Sequence, residues 1–163
     1  MPDRSPLTHV DEAGAARMVD VSAKDISARR ATAAGRVVTT PEVIALLRGD
    51  GLPKGDALAV ARLAGIMGAK RTPDLIPLCH PIGLHGVVID LDLTESAVEI
   101  TATTKTADRT GVEMEALTAV ATAGLAMIDM IKAVDPAASI EAVRVLRKEG
   151  GKTGEWVRPE HRP

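Results

Sequence analysis

In VVIDLDLTESAVEITATTKT, Val87 to Thr106, apolar and polar residues alternate on either side of a two-residue turn. Ile89, Leu91 and Leu93 alternate with Asp90, Asp92 and Thr94; beyond Glu95-Ser96, Val98, Ile100 and Ala102 alternate with Glu99, Thr101 and Thr103. Successive side chains of a strand point to opposite faces, so this pattern buries one face and wets the other. The reading is an antiparallel β-hairpin. Downstream the period changes. TGVEMEALTAVATAGLAMIDMIKAV, Thr110 to Val134, is nearly all apolar and reads as a long helix packed on more than one side, closed by Asp135-Pro136. SIEAVRVL, Ser139 to Leu146, is a last strand before the basic, Gly-rich RKEGGKTGEW. Upstream, Met18 to Lys24 and Ala28 to Thr40 read as strands joined by a short turn. Pro41 opens a helix with Thr40 as its N-cap, ending at Asp50-Gly51, and Lys54 to Lys70 forms a second helix. Strand, helices, hairpin, helix, strand is the order of an α+β ferredoxin-like sandwich, an antiparallel sheet with helices packed on one face. Residues 17–156 are expected to form one domain, between a polar mobile arm (1–16) and a short tail (157–163).

Composition narrows the function classes. A chain of 163 residues can bury a real core, but with one Trp and no Phe or Tyr that core must be built from Ala, Val, Ile, Leu and Met. Base stacking on aromatic rings is unavailable, and a net charge of −2 does not suit a nonspecific polyanion binder, so no nucleic-acid partner is expected. A single cysteine permits no internal disulfide and suits a reducing compartment. The N-terminus lacks the apolar region of a signal peptide, and no window approaches 18 consecutive apolar residues. A cytoplasmic protein without a membrane partner is the expectation.

The chemistry concentrates in three places. DLIPLCHPIGLHG, Asp74 to Gly86, holds the only cysteine, two of the four histidines and two prolines, which neither a helix nor a central strand accepts. Cys79-His80 admits several readings: a small apolar thiol beside a hydrogen-bonded imidazole, a zinc site, or a nucleophile pair. Zinc would need more ligands than His80, His85 and one cysteine at this spacing, and adjacent residues of an extended chain point apart. We favour a proline-stiffened loop that presents His80 to a ligand. In the long helix, Glu113 and Glu115 suit the positive end of the dipole, which is also a purely structural explanation. Asp129 and Lys132, three apart in the apolar IDMIKAV, share a face and read as a part-buried pair able to tune an acid–base couple. Glu115 and Asp129 lie on one helical face but, at fourteen residues' separation, roughly 21 Å apart along the axis. If both are catalytic, two copies of the chain must share a site. Finally, KGD, Lys54 to Asp56, opens a helix where free N–H groups favour anions, although it lacks the glycine-lysine-serine/threonine ending of a P-loop.

KGDALAVARLAGIMGAKRTPDLIPLCHPI, TGVEMEALTAVATAGLAMIDMIKAV and VRVLRKEGGKTGEW, together with MVDVSAK and Arg29, resemble the molybdenum cofactor biosynthesis protein C family, the cyclic pyranopterin monophosphate synthases. The likeness runs from about Leu7 to Trp156, and the LCHP and TGVEMEAL blocks are specific to it. It departs at Gly68, Ile82 and the end TGEWVRPEHRP. The resemblance implies rearrangement of 3′,8-cyclo-7,8-dihydro-GTP, a small-molecule substrate, into cyclic pyranopterin monophosphate with release of diphosphate, without a cofactor or a metal site. It also implies a ferredoxin-like fold and dimers that build a hexamer, with sites at the dimer interface. Carried over by position, the acid–base lysines are Lys54 and Lys132 and the catalytic aspartate is Asp129. The substrate-contacting residues are Leu78, Cys79 and His80, with Met114 and Glu115; Glu113 is a further essential carboxylate, and Arg29, Lys24 and Lys148 are phosphate-binding cations. His80 and Glu115 count as catalytic as well. A catalytically inactive pterin-precursor-binding relative is the alternative. The intact Lys54, His80, Glu115, Asp129 and Lys132 argue against it.

Overall fold

The computed structural model describes residues 7–49 and 56–161. The hairpin is present as β2 (Leu84–Leu93) and β3 (Ala97–Asp108), paired with Leu91 opposite Ile100. Thr94 closes its turn: the Thr94 N–H donates to the Ala97 carbonyl at 2.9 Å, and the Thr94 hydroxyl accepts from the Ala97 N–H at 3.0 Å. β3 pairs on its other side with β1 (Ser27–Val38), which pairs in turn with β4 (Ser139–Glu149). A two-residue β5 (Trp156–Val157) completes an antiparallel sheet in the order β2-β3-β1-β4-β5. The helices α1 (Pro41–Arg48), α2 (Ala57–Lys70), α3 (Thr72–Leu75) and α4 (Glu113–Ile131) pack on one side, which makes the fold α+β and ferredoxin-like.

Local chemistry sets the boundaries. Thr40 caps α1 as expected, its hydroxyl accepting from the Val43 N–H at 3.3 Å ahead of Pro41. The expected end of α1 at Asp50-Gly51 lies outside the described residues. α2 starts at Ala57 because the Asp56 carboxylate takes the N-cap role, accepting from the Ala59 N–H at 2.9 Å; Lys54 and Gly55 lie outside the described residues. Val112 precedes α4 without a side-chain cap, its carbonyl held instead by the Thr104 hydroxyl at 3.0 Å. At the other end the buried Asp135 accepts from the Thr39 hydroxyl at 2.7 Å.

Two expectations are corrected. Met18 to Lys24 forms no strand. Both edges of β1 are taken, by β3 and β4, so the sheet has no place beside it for another strand. The Asp20 carboxylate accepts from the Ser22 N–H at 2.9 Å, and the Lys24 N–H closes a turn on the Val21 carbonyl at 3.0 Å. β4 runs on to Glu149, because β1 continues to supply partners as far as Arg30. Arg147 and Lys148 are therefore strand residues.

The core is aliphatic, with Ile100, Met127, Ile131, Val37, Val98 and Val120 fully buried. Small side chains supply contact through close approach. A Cβ on Gly65 of α2 would strike the Ile89 side chain and lie 2.9 Å from the Ala119 carbonyl oxygen of α4; one on Gly68 would strike Thr122. α4 is long and apolar enough to cross a membrane, but ten of its residues are buried in the fold, which accounts for that character. Gly65→Ala measures the packing directly. Alanine gains about 1 kcal/mol of helix propensity, whereas overpacking against a backbone carbonyl costs about 1–3 kcal/mol. A lower melting temperature is expected; a higher one would show that α2 and α4 have room to move apart.

Candidate active site

Three segments enclose a cavity of about 210 Å³. The N-terminal segment contributes Thr8, His9, Val19, Val21 and Lys24, the loop before β2 contributes Leu78, Cys79 and His80, and the start of α4 contributes Thr110, Gly111, Glu113, Met114 and Glu115. The proline loop is tied at both ends: the Cys79 N–H donates to the Ile76 carbonyl at 3.1 Å, and the Thr106 hydroxyl to the Gly83 carbonyl at 2.6 Å. His80 reaches the cavity from it, with Nε2 2.6 Å from the Val19 carbonyl oxygen. His85 points elsewhere, its Nδ1 accepting from the Ala107 N–H at 3.3 Å.

Glu115 is the unusual residue. It is 3% exposed, and among the described residues its Oε2 has no hydrogen-bond partner. Burial pushes its carboxyl up to about 7; a backbone hydrogen bond opposes the shift, and the charge of Glu113 adds to it. The Cys79 thiol is pushed up as well, by burial and then by Glu115. A raised thiol is a poor nucleophile, so the nucleophile-pair reading loses ground. Glu113 has its own partner, the Lys148 ammonium at 3.1 Å. Gly111 gives that carboxylate its room, since a Cβ there would overlap it.

A second, smaller cavity of about 120 Å³ adjoins the first, sharing Gly111 and Glu113 and lined by Arg29, Arg30 and Lys148. Arg29 is fixed in place, donating from Nε to the Asp108 carbonyl at 3.0 Å and from Nη2 to the Arg109 carbonyl at 3.3 Å. One compartment thus sets the buried Glu115 near a single lysine, Lys24, and its neighbour gathers Arg29, Arg30 and Lys148 around Glu113 and Glu149.

The structure brings together Lys24, Leu78, Cys79, His80, Glu113, Met114 and Glu115, with Arg29 and Lys148 next door. It does not bring Asp129 and Lys132 there. They pair at 2.7 Å as the spacing predicts, but each side chain is 59% exposed, so the expectation of a part-buried pair is corrected for the single chain. The end of α4 turns them outward, with Asp129 roughly 21 Å from Glu115 along the axis. Lys54 lies outside the described residues. Sequence reasoning missed Thr8, His9 and Arg30. His9, one of only four histidines, sits in a polar arm that carries no periodic signal, and only the tertiary fold returns it to the site.

The model of the MoaC family matches residues 18–151. A cyclic pyranopterin monophosphate synthase of Streptomyces coelicolor is 68% identical over 152 residues, covering 93% of this chain and 89% of its own. One from Streptomyces avermitilis is 67% identical over 157 residues, covering 96% and 92%. One from a Roseiflexus species is 56% identical over 155 residues, covering 94% and 98%.

The raised carboxyl makes a prediction about stability. Between the ordinary value of 4.5 and about 7 the folded chain holds a proton on Glu115 that the unfolded chain has lost. The stability penalty is therefore absent below that window, grows as pH rises through it and is complete above it. Glu115→Gln removes a penalty on the order of 3 kcal/mol at pH 8 and almost none at pH 4.5. Denaturant titrations of both proteins at the two pH values measure it. Equal differences at both would show that Glu115 titrates normally.

Proposed function

The chain belongs to the MoaC family, and from that premise we propose that it catalyses the formation of cyclic pyranopterin monophosphate from 3′,8-cyclo-7,8-dihydro-GTP in molybdenum cofactor biosynthesis, with release of diphosphate. The observation that carries this reading is the pairing of compartments: a buried carboxyl poised near neutrality beside a space lined by Arg29, Arg30 and Lys148, of which Arg29 is held by two backbone carbonyls. The reaction opens one ring, closes another and displaces a phosphoryl group on one bound molecule. A sugar-derived hydroxyl attacks the α-phosphorus, its proton passes to a base, and the bond to the departing diphosphate breaks.

Each residue has a part. Arg29, Lys148 and Lys24 hold the phosphates, which a fixed guanidinium and two ammonium groups suit. Glu115 exchanges protons at the ring system, because a group titrating near the working pH is the most effective donor and acceptor. His80 and Glu113 assist, and Leu78, Cys79 and Met114 shape the pocket. Asp129, Lys132 and Lys54 complete the acid–base set. No electrons leave or enter the substrate, so we assign no redox cofactor.

Asp129 and Lys132 reach the substrate from a second copy. Support comes from their distance to Glu115 and from an apolar stripe on α2, where Val60, Leu63 and Met67 are exposed at helical spacing, as is Leu125 of α4. Dimers formed this way build the hexamer that the resemblance implies. The lone thiol, Cys79, suits a cytoplasmic setting.

Purified protein incubated with the cyclised nucleotide should yield cyclic pyranopterin and diphosphate in equal amounts. Substrate binding without either product would establish the inactive-relative reading instead. The shared site has its own test. Glu115→Ala and Asp129→Ala are each expected to be inactive, and mixing them under subunit exchange should restore about a quarter of wild-type activity, since half the dimers are mixed and hold one intact site of two. No recovery after exchange confirmed by mass spectrometry would place both carboxylates in one chain's site or remove one from catalysis.

A further inference from the structure

The N-terminal segment does more than close the cavity. Leu7 to Arg17 forms a strap with a defined shape. The Asp11 carboxylate accepts from the N–H groups of Ala13 at 2.9 Å and Ala15 at 2.8 Å. Gly14, at φ +83, takes the left-handed turn that a side chain would resist. Val10 bridges Ala16, and the Arg17 N–H donates to the His9 carbonyl at 2.9 Å. These bonds hold the His9 ring at the wall of the cavity that also contains Cys79, His80 and Glu115.

Two imidazoles of that cavity are anchored to carbonyls two residues apart. His9 Nδ1 lies 3.3 Å from the Arg17 oxygen, and His80 Nε2 lies 2.6 Å from the Val19 oxygen. A carbonyl can only accept, so each of these nitrogens must carry its proton. In the neutral rings the other nitrogens, His9 Nε2 and His80 Nδ1, hold lone pairs. The strap and the residues just after it thus select opposite tautomers of two histidines that share one space. Nothing in the core requires His9: the ring is exposed and stands at the mouth of the site.

We propose that His9 is a further substrate-contacting residue, its Nε2 lone pair accepting a hydrogen bond from an N–H or O–H of the bound cyclised nucleotide. This rests on the reaction assigned above. The substrate offers amino, ring N–H and sugar hydroxyl donors, while the neighbouring compartment is lined with cations suited to its phosphates.

Two variants separate contact from architecture. In His9→Asn the side-chain amide stands where Nδ1 was and keeps the bond to Arg17, but nothing reaches the position of Nε2. In His9→Gln the longer amide reaches that position and can accept. His9→Asn should raise KM roughly 10- to 100-fold with kcat little changed, the effect of leaving a substrate donor unpaired. His9→Gln should stay within about three-fold of wild type, the residual cost of a weaker contact. A wild-type KM for His9→Asn, or equal impairment of both variants, overturns the inference. Nitrogen-15 NMR of the histidine rings at pH 8 needs no turnover. It should find His9 protonated at Nδ1, and protonation at Nε2 overturns the inference as well. Wild-type protein that fails to convert the cyclised nucleotide would overturn the assigned reaction, and the ring signals would then decide the role of His9 by themselves.

Discussion

A core without phenylalanine or tyrosine reaches interior density only if its backbones approach closely, and α4 is where they do. Gly65 and Gly68 let α2 lie against it, Gly35 admits Val120 from it, and its own Gly124 accepts Ile140 of β4. A helix gripped on two sides has little freedom to shift along its axis. That grip fixes where its first turn meets the proline loop and the N-terminal strap, and so fixes the cavity.

The same packing sets the protonation of the candidate site. Pressing the first turn of α4 into the fold takes Glu115 out of water without giving both of its oxygens a partner among the described residues. One turn's geometry separates the two carboxylates: Glu113 meets Lys148 and stays paired, whereas Glu115 is left to hold a proton near neutrality. Such a group lowers stability at neutral pH, a cost that the aliphatic core offsets elsewhere. With the role proposed for it, Glu115 sets function and stability against each other.

Much of this was legible in the sequence, for definite reasons. The alternation in Val87 to Thr106 and the apolar run after it could satisfy only one period each, so the hairpin and the long helix were readable. Glu113, Glu115, Cys79 and His80 stood out because their types conflict with their surroundings. Met18 to Lys24 misled, since short alternation cannot reveal that both edges of β1 are already taken. The pairing of Asp129 with Lys132 followed from spacing, but their exposure did not: helical period fixes which residues share a face, and the fold decides which face is covered. The strap was invisible for a similar reason. Its turns use Asp11 and Gly14 locally, and only the packed chain carries His9 across to Glu115.

Burial raises the Glu115 carboxyl to where it can exchange protons at neutral pH, and its own titration is the direct measurement. Carbon-13 labelling of the glutamate carboxyls, with the Glu115 signal assigned by its loss in Glu115→Gln, reports that group alone. A midpoint near pH 7 is expected. A midpoint near the ordinary 4.5 would contradict this and leave the proposed role of Glu115 without its physical basis.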